Sequence, residues 1–302
     1  MKDFRGLRGL FVGLLIVLAA PSFGWGAVGH RYASGLAVED LPAELKPLYA
    51  ANKEWIVAHS SDPDHWRSAD RSEAPHHFID MNKWGMADAK HFPHDYWVAC
   101  GLYGKDAVDK NGVVPWRIGQ YYAKLIVAFK ERDAHAIVDI SAWLGHYVAD
   151  VHVPFHAAVN YDGQLTGQRG VHARFESVLV EKQIAEKDLK KSNVTQIKDP
   201  IAAAFGWADL SLKRSFDVLA ADKAAAAKDG EYGDAYYKTF GEKARPIAIA
   251  ALNESGRDLA SLWVAAWQAA GKPALPAVVN VHAGEALMLP THDPDTAAVS
   301  QD

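Results

Sequence analysis

The chain has 302 residues, 49% of them apolar and 23% charged, enough to bury the core of one medium-sized domain. A formal net charge of -5 and a pI near 6.3 exclude a protein held to nucleic acid by a broad basic surface, since neutralising phosphates takes clustered Lys and Arg. The single cysteine, Cys100, excludes an internal disulfide and a thiolate metal cluster, which leaves metal chemistry to the Asp and Glu residues and to 14 His.

Lys2, Arg5 and Arg8 precede an apolar run from Leu10 to Ala20 and then Pro21-Ser22-Phe23-Gly24. This pattern predicts a secretory signal over 1–24, cut between Gly24 and Trp25; the run is too short for a membrane span, and an uncleaved anchor is the alternative. Cleavage takes the net charge from -5 to -7 and predicts a soluble periplasmic or secreted protein. Apolar residues then recur at helical spacing over 118–129, 143–151, 175–184 and 247–267, with little strict alternation elsewhere. The expectation is an all-α chain: a single compact multi-helix domain over 25–275, divided into roughly eight to ten helices by breakers such as Pro63, Pro75, Pro115 and Pro154. Ala220 to Ala227 reads as a surface helix, and 276–302 as an irregular tail.

The chemistry concentrates in a few spacings. His146 and Asp150 are four apart on a helix with apolar neighbours, so imidazole and carboxylate share a face and can share a cation, and the two oxygens of Asp150 can serve different ions. Pro154 bends or ends that helix and returns His156 toward the same volume; a helix opening near Val171 repeats the device with His172 and Glu176. Burying so many titratable groups without a cation would cost on the order of 1–3 kcal/mol for each one left unpaired. Upstream stand Trp25-Gly-Ala-Val-Gly-His30, where an amine freed by processing, the Trp25 carbonyl and the His30 imidazole can chelate one ion. Asp64 and Arg67 follow in Asp62-Pro-Asp-His-Trp-Arg67, and His77, Phe78 and Asp80 in Pro75-His-His-Phe-Ile-Asp80; Asp62 and His76 compete with Asp64 and His77 as ligands.

Together WGAVGH, DHWR, HFID, HYVADVHVPFH and GVHARFE resemble the zinc-dependent phospholipase C and S1/P1 nuclease superfamily, closer to the nuclease branch, over Trp25 to about Glu176. Glu176 is nearer the phospholipase branch, since nucleases usually carry Asp there; Ala149 and Val153 also depart from the family pattern, and its eukaryotic disulfides are absent. The resemblance implies three Zn2+ ions: one on Asp64, His77, His146 and Asp150, a second on His156, His172 and Glu176, and a third on the Trp25 amine and carbonyl, His30 and the other oxygen of Asp150. It implies hydrolysis of single-stranded DNA or RNA to 5′-phosphorylated products, with water activated by zinc near neutral pH. Asp64 would orient or deprotonate that water, Arg67 would contact the phosphate, and Phe78 and Asp80 would stack and hydrogen-bond a base. A phospholipase C acting on lipid headgroups is the alternative enzyme, and a secreted zinc-binding helical protein without turnover the non-enzymatic one; no stable protein partner is implied.

The remaining residues read more simply. His59, His65, His91, His94 and His135 are expected in solvent, His152 in a structural role facing away from Asp150, and His282 and His292 in the tail. Trp55, Trp84, Trp97, Trp116, Trp143, Trp207, Trp263 and Trp267 are expected in the core, with Cys100 a small buried hydrophobe.

Overall fold

Proline and aspartate set where the long helices begin. The computed structural model describes residues 25–85, 91–276, 279–285 and 293, so the expected leader and His292 lie outside the described residues. Helix α1 spans Ala27–Asp40, followed by the short α2 (Lys46–Ala51), α3 (Lys53–Ala58) and α4 (Asp62–Ala69). Helices α5 (Tyr96–Tyr103) and α6 (Lys105–Lys110) lead to α7 (Val114–Glu131), which opens with Pro115 in its first turn, where a missing N–H leaves no gap. The Asp133 side chain accepts from the Ala136 N–H and starts α8 (Ala134–Val151). After α9 (Val171–Ala173) and α10 (Val180–Gln183), Asp199 accepts from the N–H groups of Ile201 and Ala202 and Pro200 occupies the first turn of α11 (Pro200–Asp229). The 36-residue α12 (Asp234–Ala269) completes the set. The described residues contain no strand, and none of their helices is long and apolar enough to cross a membrane.

These helices pack as one compact all-helical domain with two adjoining cores. One gathers α7, α8 and the end of α12 around Trp66, Phe129, Tyr147 and Trp263; the other gathers Trp25, Phe155, Phe175 and Phe240. Helix α1 lies against α12 closely enough that a Cβ on Gly256 would come within 2.6 Å of the Leu36 Cβ and 3.2 Å of the Ala33 carbonyl oxygen. That approach seats α1, and so His30, against α8 at the seam between the cores.

The expected helix over 175–184 is less regular than its apolar spacing implies. Its first part is a π-turn, Arg174–Leu179, between α9 and α10. Two strong local demands meet there: Arg174 donates from Nε and Nη2 to Asp222 Oδ1 at 3.0 and 2.8 Å, while Phe175 is buried against Trp25 and Phe155. The segment 279–285 has no helix, yet it folds back onto the body: Asn52 donates to the Val279 carbonyl and accepts from the Val281 N–H.

Candidate metal centre

His146 and Asp150, one turn apart on α8, are fully buried. The ring of His30 stacks on that of His146 with centroids 4.1 Å apart, and His30 Nε2 lies 3.5 Å from Asp150 Oδ1. Asp64 enters from the first turn of α4, its Oδ1 3.8 Å from both His77 Nδ1 and His146 Nε2. His77 ends the 3-10 turn Arg71–His77 and sets its Nδ1 2.9 Å from Asp150 Oδ2 and 3.0 Å from His146 Nε2. The structure thus gathers Asp64, His77, His146 and Asp150 into one group and puts His30 on the other oxygen of Asp150.

A second group adjoins it. Pro154 starts the 3-10 turn Pro154–Ala157 that carries His156, and this turn is laced to the His77 segment in both directions. His156 Nδ1 donates to the His77 carbonyl at 2.6 Å, and the Ile79 N–H donates to the His156 carbonyl at 2.8 Å. His156 Nε2 stands 3.9 Å from Glu176 Oε2, and His172 Nε2 2.8 Å from the same oxygen. Glu176 is supplied by the π-turn, a feature often found at functional sites. His156 Nδ1 is also 3.6 Å from Asp150 Oδ1, so Asp150 joins the two groups.

The protons show what the centre accommodates. His146 donates from Nδ1 to the Ser60 carbonyl at 2.8 Å, so Nε2 is the nitrogen that faces His77 and Asp150 and holds either a proton or a cation; His156, donating from Nδ1, bares Nε2 when neutral. Burial lowers His156 to about 3 and His172 to about 4, keeping both imidazoles neutral at pH 7, each with a ring lone pair not taken by a proton. Burial also holds His30 well below the usual imidazole range. Burial pulls His146 down as well, but the carboxylates of Asp150 and Asp64 outweigh it and raise the ring to about 9. Burial opposes ionisation of Asp150, and His146 and His156 more than offset it, so the carboxyl falls well below the carboxylate range. Both nitrogens of His30, His77 Nε2 and Asp150 Oδ1 are buried and make no hydrogen bond. Two ligands about 2.1 Å from a tetrahedral ion stand about 3.4 Å apart, close to the spacings of these groups. The buried imidazoles and carboxylates can therefore hold metal ions.

The structure separates the competing ligands. Asp62 is committed elsewhere, its Oδ2 2.8 Å from His59 Nδ1 and accepting from Trp143 Nε1 at 3.0 Å, whereas His76 bonds Glu73 at 2.7 Å; Asp64 and His77 face the centre. Trp25 stands just before α1 with its indole fully buried against Phe175; in the full chain its nitrogen is a peptide nitrogen, so an amine ligand exists only in a processed chain.

Over the centre opens a cleft of about 320 Å³, lined by Arg67, His77, Phe78, Asp80, His156 and His172. Arg67 is partly buried, and burial lowers its pKa against the pull of Asp64, Asp150 and Glu176. Phe78 and Asp80 are fixed from below: the Phe78 carbonyl accepts from the Val114 N–H at 3.2 Å, and the Asp80 N–H donates to the Asn111 carbonyl at 2.8 Å. Gly112 permits this crossing, with φ of 90° and a would-be Cβ only 2.2 Å from the Phe78 carbonyl oxygen. Burial raises Asp80 to about 6 despite Lys83.

Lys110 and Tyr161 also line the cleft, and neither was legible in the sequence, because each comes from a segment with no motif. Glu73 was missed as well, although it stands four residues before His77: its Oε1 accepts from the Tyr147 hydroxyl at 2.5 Å and lies 3.8 Å from His77 Nε2. His59 is buried beneath Trp55 and beside Asp62, not in solvent, and His282 is buried too. His152 bonds Asp258 of α12 at 3.0 Å, away from the centre. Trp97 is 71% exposed, because α5 turns that face outward, and Cys100 is half-buried at the core margin. No family model and no curated protein matches the chain.

Proposed function

We propose that the chain is a trinuclear zinc phosphodiesterase of the phospholipase C/P1 nuclease type, acting on single-stranded nucleic acid outside the cytoplasm. The observation that carries this reading is the sharing of Asp150: its Oδ2 serves His77 and His146, and its Oδ1 faces His30 and His156. One carboxylate that bridges several imidazoles beneath an open cleft suits clustered ions better than isolated ones. Asp64, His77, His146 and Asp150 would hold one ion, His156, His172 and Glu176 a second, and His30 with Asp150 and the processed Trp25 a third. When bound, the ions supply Lewis-acid activation of water near neutral pH and neutralise charge at a phosphodiester.

The protein's own groups account for the rest. Arg67 and Lys110 bring positive charge to the cleft of an otherwise acidic chain, where a phosphate's equatorial oxygens gather charge during displacement. Asp64, partly exposed and 3.8 Å from His77 and His146, would orient the attacking water and accept its proton. Phe78 offers a ring face, and Asp80 an acceptor for an exocyclic amine, to a base that is not already paired. A volume of about 320 Å³ suits one nucleotide unit.

One observation favours phospholipid instead: Glu176, the longer carboxylate, is fully buried in the second group. Rates on single-stranded DNA, RNA and dispersed phosphatidylcholine, before and after chelation and zinc return, decide between them. The reading expects zinc-dependent release of 5′-phosphorylated nucleotides; full hydrolysis without metal, or phosphorylated headgroup as the main product, overturns it.

A further inference from the structure

Helix α8 carries the His-x3-carboxylate spacing twice. One turn pairs His146 with Asp150; at the helix start, three turns away, His135 and Asp139 repeat it, and the segment 279–285 folds over that pair. His282 is 7% exposed, its ring lying flat on Trp55 with centroids 3.7 Å apart and planes 5° from parallel. Trp55 is itself pinned by donation from Nε1 to Asp139 Oδ1 at 2.7 Å. The imidazole is thus held in one plane with both edges facing carboxylates: Nε2 is 3.0 Å from Asp139 Oδ1, and Nδ1 3.1 Å from Glu285 Oε2.

A neutral imidazole has one N–H, so one of those edges must turn a lone pair toward a carboxylate unless a cation stands between. Nε2 makes no hydrogen bond although it is buried. The ring of His135 meets that of His282 edge-on at 5.0 Å and 86°, bringing a second imidazole to the same place. Ligand atoms of His135, His282 and Glu285 all lie within 4.8 Å of one another, and His135 and Glu285 are open to solvent. Two imidazoles and a carboxylate suit Zn2+, with water in a remaining position. Asp139 Oδ1, 3.0 Å from Nε2, stands at the ring edge opposite Glu285, where a carboxylate helps orient a ligating imidazole.

We propose that His135, His282 and Glu285 form a peripheral zinc site that clamps the 279–285 segment to the start of α8. The clamp joins residues more than a hundred positions apart, so closing it removes freedom from the chain end. The site is independent of the catalytic reading, since it shares no ligand with the group around Asp150.

The test is calorimetric titration of the chelator-stripped full chain with Zn2+, comparing the wild type with His135→Asn and Glu285→Gln. Both changed residues are exposed, so the fold is retained. Each variant is expected to bind one equivalent fewer than the wild type, with hydrolytic rates unchanged. Zn2+ is also expected to slow proteolytic cutting within 279–285 in the wild type and in neither variant. An equal number of equivalents in the wild type and either variant overturns the three-ligand site. Because the reading is a difference between chains, it stands or falls whatever the centre around Asp150 turns out to bind.

Discussion

His77 Nδ1 and His146 Nε2 face each other across 3.0 Å, and His146 Nδ1 already donates to the Ser60 carbonyl. The helix fixes one ring and a 3-10 turn the other, so the two nitrogens are held together by parts of the fold that are far apart in the chain. A pair of imidazole nitrogens converging with Asp64 and Asp150 is compensated by a proton or by a cation.

Asp150 joins both groups, so Asp150→Ala should do more damage than loss of any one imidazole. The variant is expected to lose metal from more than one position and at least about 10³-fold in hydrolytic rate. Metal content by mass spectrometry, read with the rate, checks this; a variant that keeps all its metal would show that Asp150 does not bridge.

Arg67 lines the cleft, and a guanidinium does not ligate a metal ion. Arg67→Ala is therefore expected to leave metal content intact while lowering kcat by about 10²-fold, the scale for removing one group that stabilises developing charge. A drop in metal content equal to the drop in rate would assign Arg67 a structural role.

Asp80 carries two opposite pH signatures. Its pKa is raised by burial from 3.8 to about 6, so the carboxylate needed to accept from a base is lost as pH falls through about 6, and KM for single-stranded DNA should rise there. For folding the sign reverses: the contribution to stability is full below 3.8 and is lost as pH rises through about 6. Asp80→Asn should thus stabilise the fold at pH 8 by on the order of 1–2 kcal/mol, screening allowed for, and abolish the KM inflection. Denaturant melts and KM against pH read the two effects.

Glu73 behaves in the ordinary sense. Burial opposes its ionisation, but His76 and Arg117 overcome this and lower the carboxyl from 4.5 to about 2. Its stabilisation is complete above 4.5 and disappears as pH falls through about 2; the difference amounts to about 3 kcal/mol at neutral pH. Glu73→Gln should show a loss of that order in denaturant melts at pH 7 and little loss near pH 2.

How much of this was legible follows from sequence distance. The pairs His146/Asp150 and His172/Glu176 announce themselves because helical period turns a spacing into a shared face, and the all-helical fold follows from the same periodicity. Choosing Asp64 over Asp62 needed the structure, because only packing shows that His59 and Trp143 already occupy Asp62. The π-turn under Glu176 was hidden for a similar reason: the Arg174–Asp222 bond that accompanies it spans 48 positions and leaves no periodic trace. Lys110 reaches the cleft from the last residue of the short α6 and Tyr161 from a turn, neither within a periodic stretch long enough to show an orientation. His282 looked like tail because nothing local reveals that it lies on Trp55.

The most direct measurement is anomalous diffraction at the zinc edge from crystals of the protein grown with Zn2+. The account predicts strong peaks between Asp64, His77, His146 and Asp150 and between His156, His172 and Glu176, with Asp150 also touching a peak beside His30. A map with no anomalous density among these side chains would contradict it.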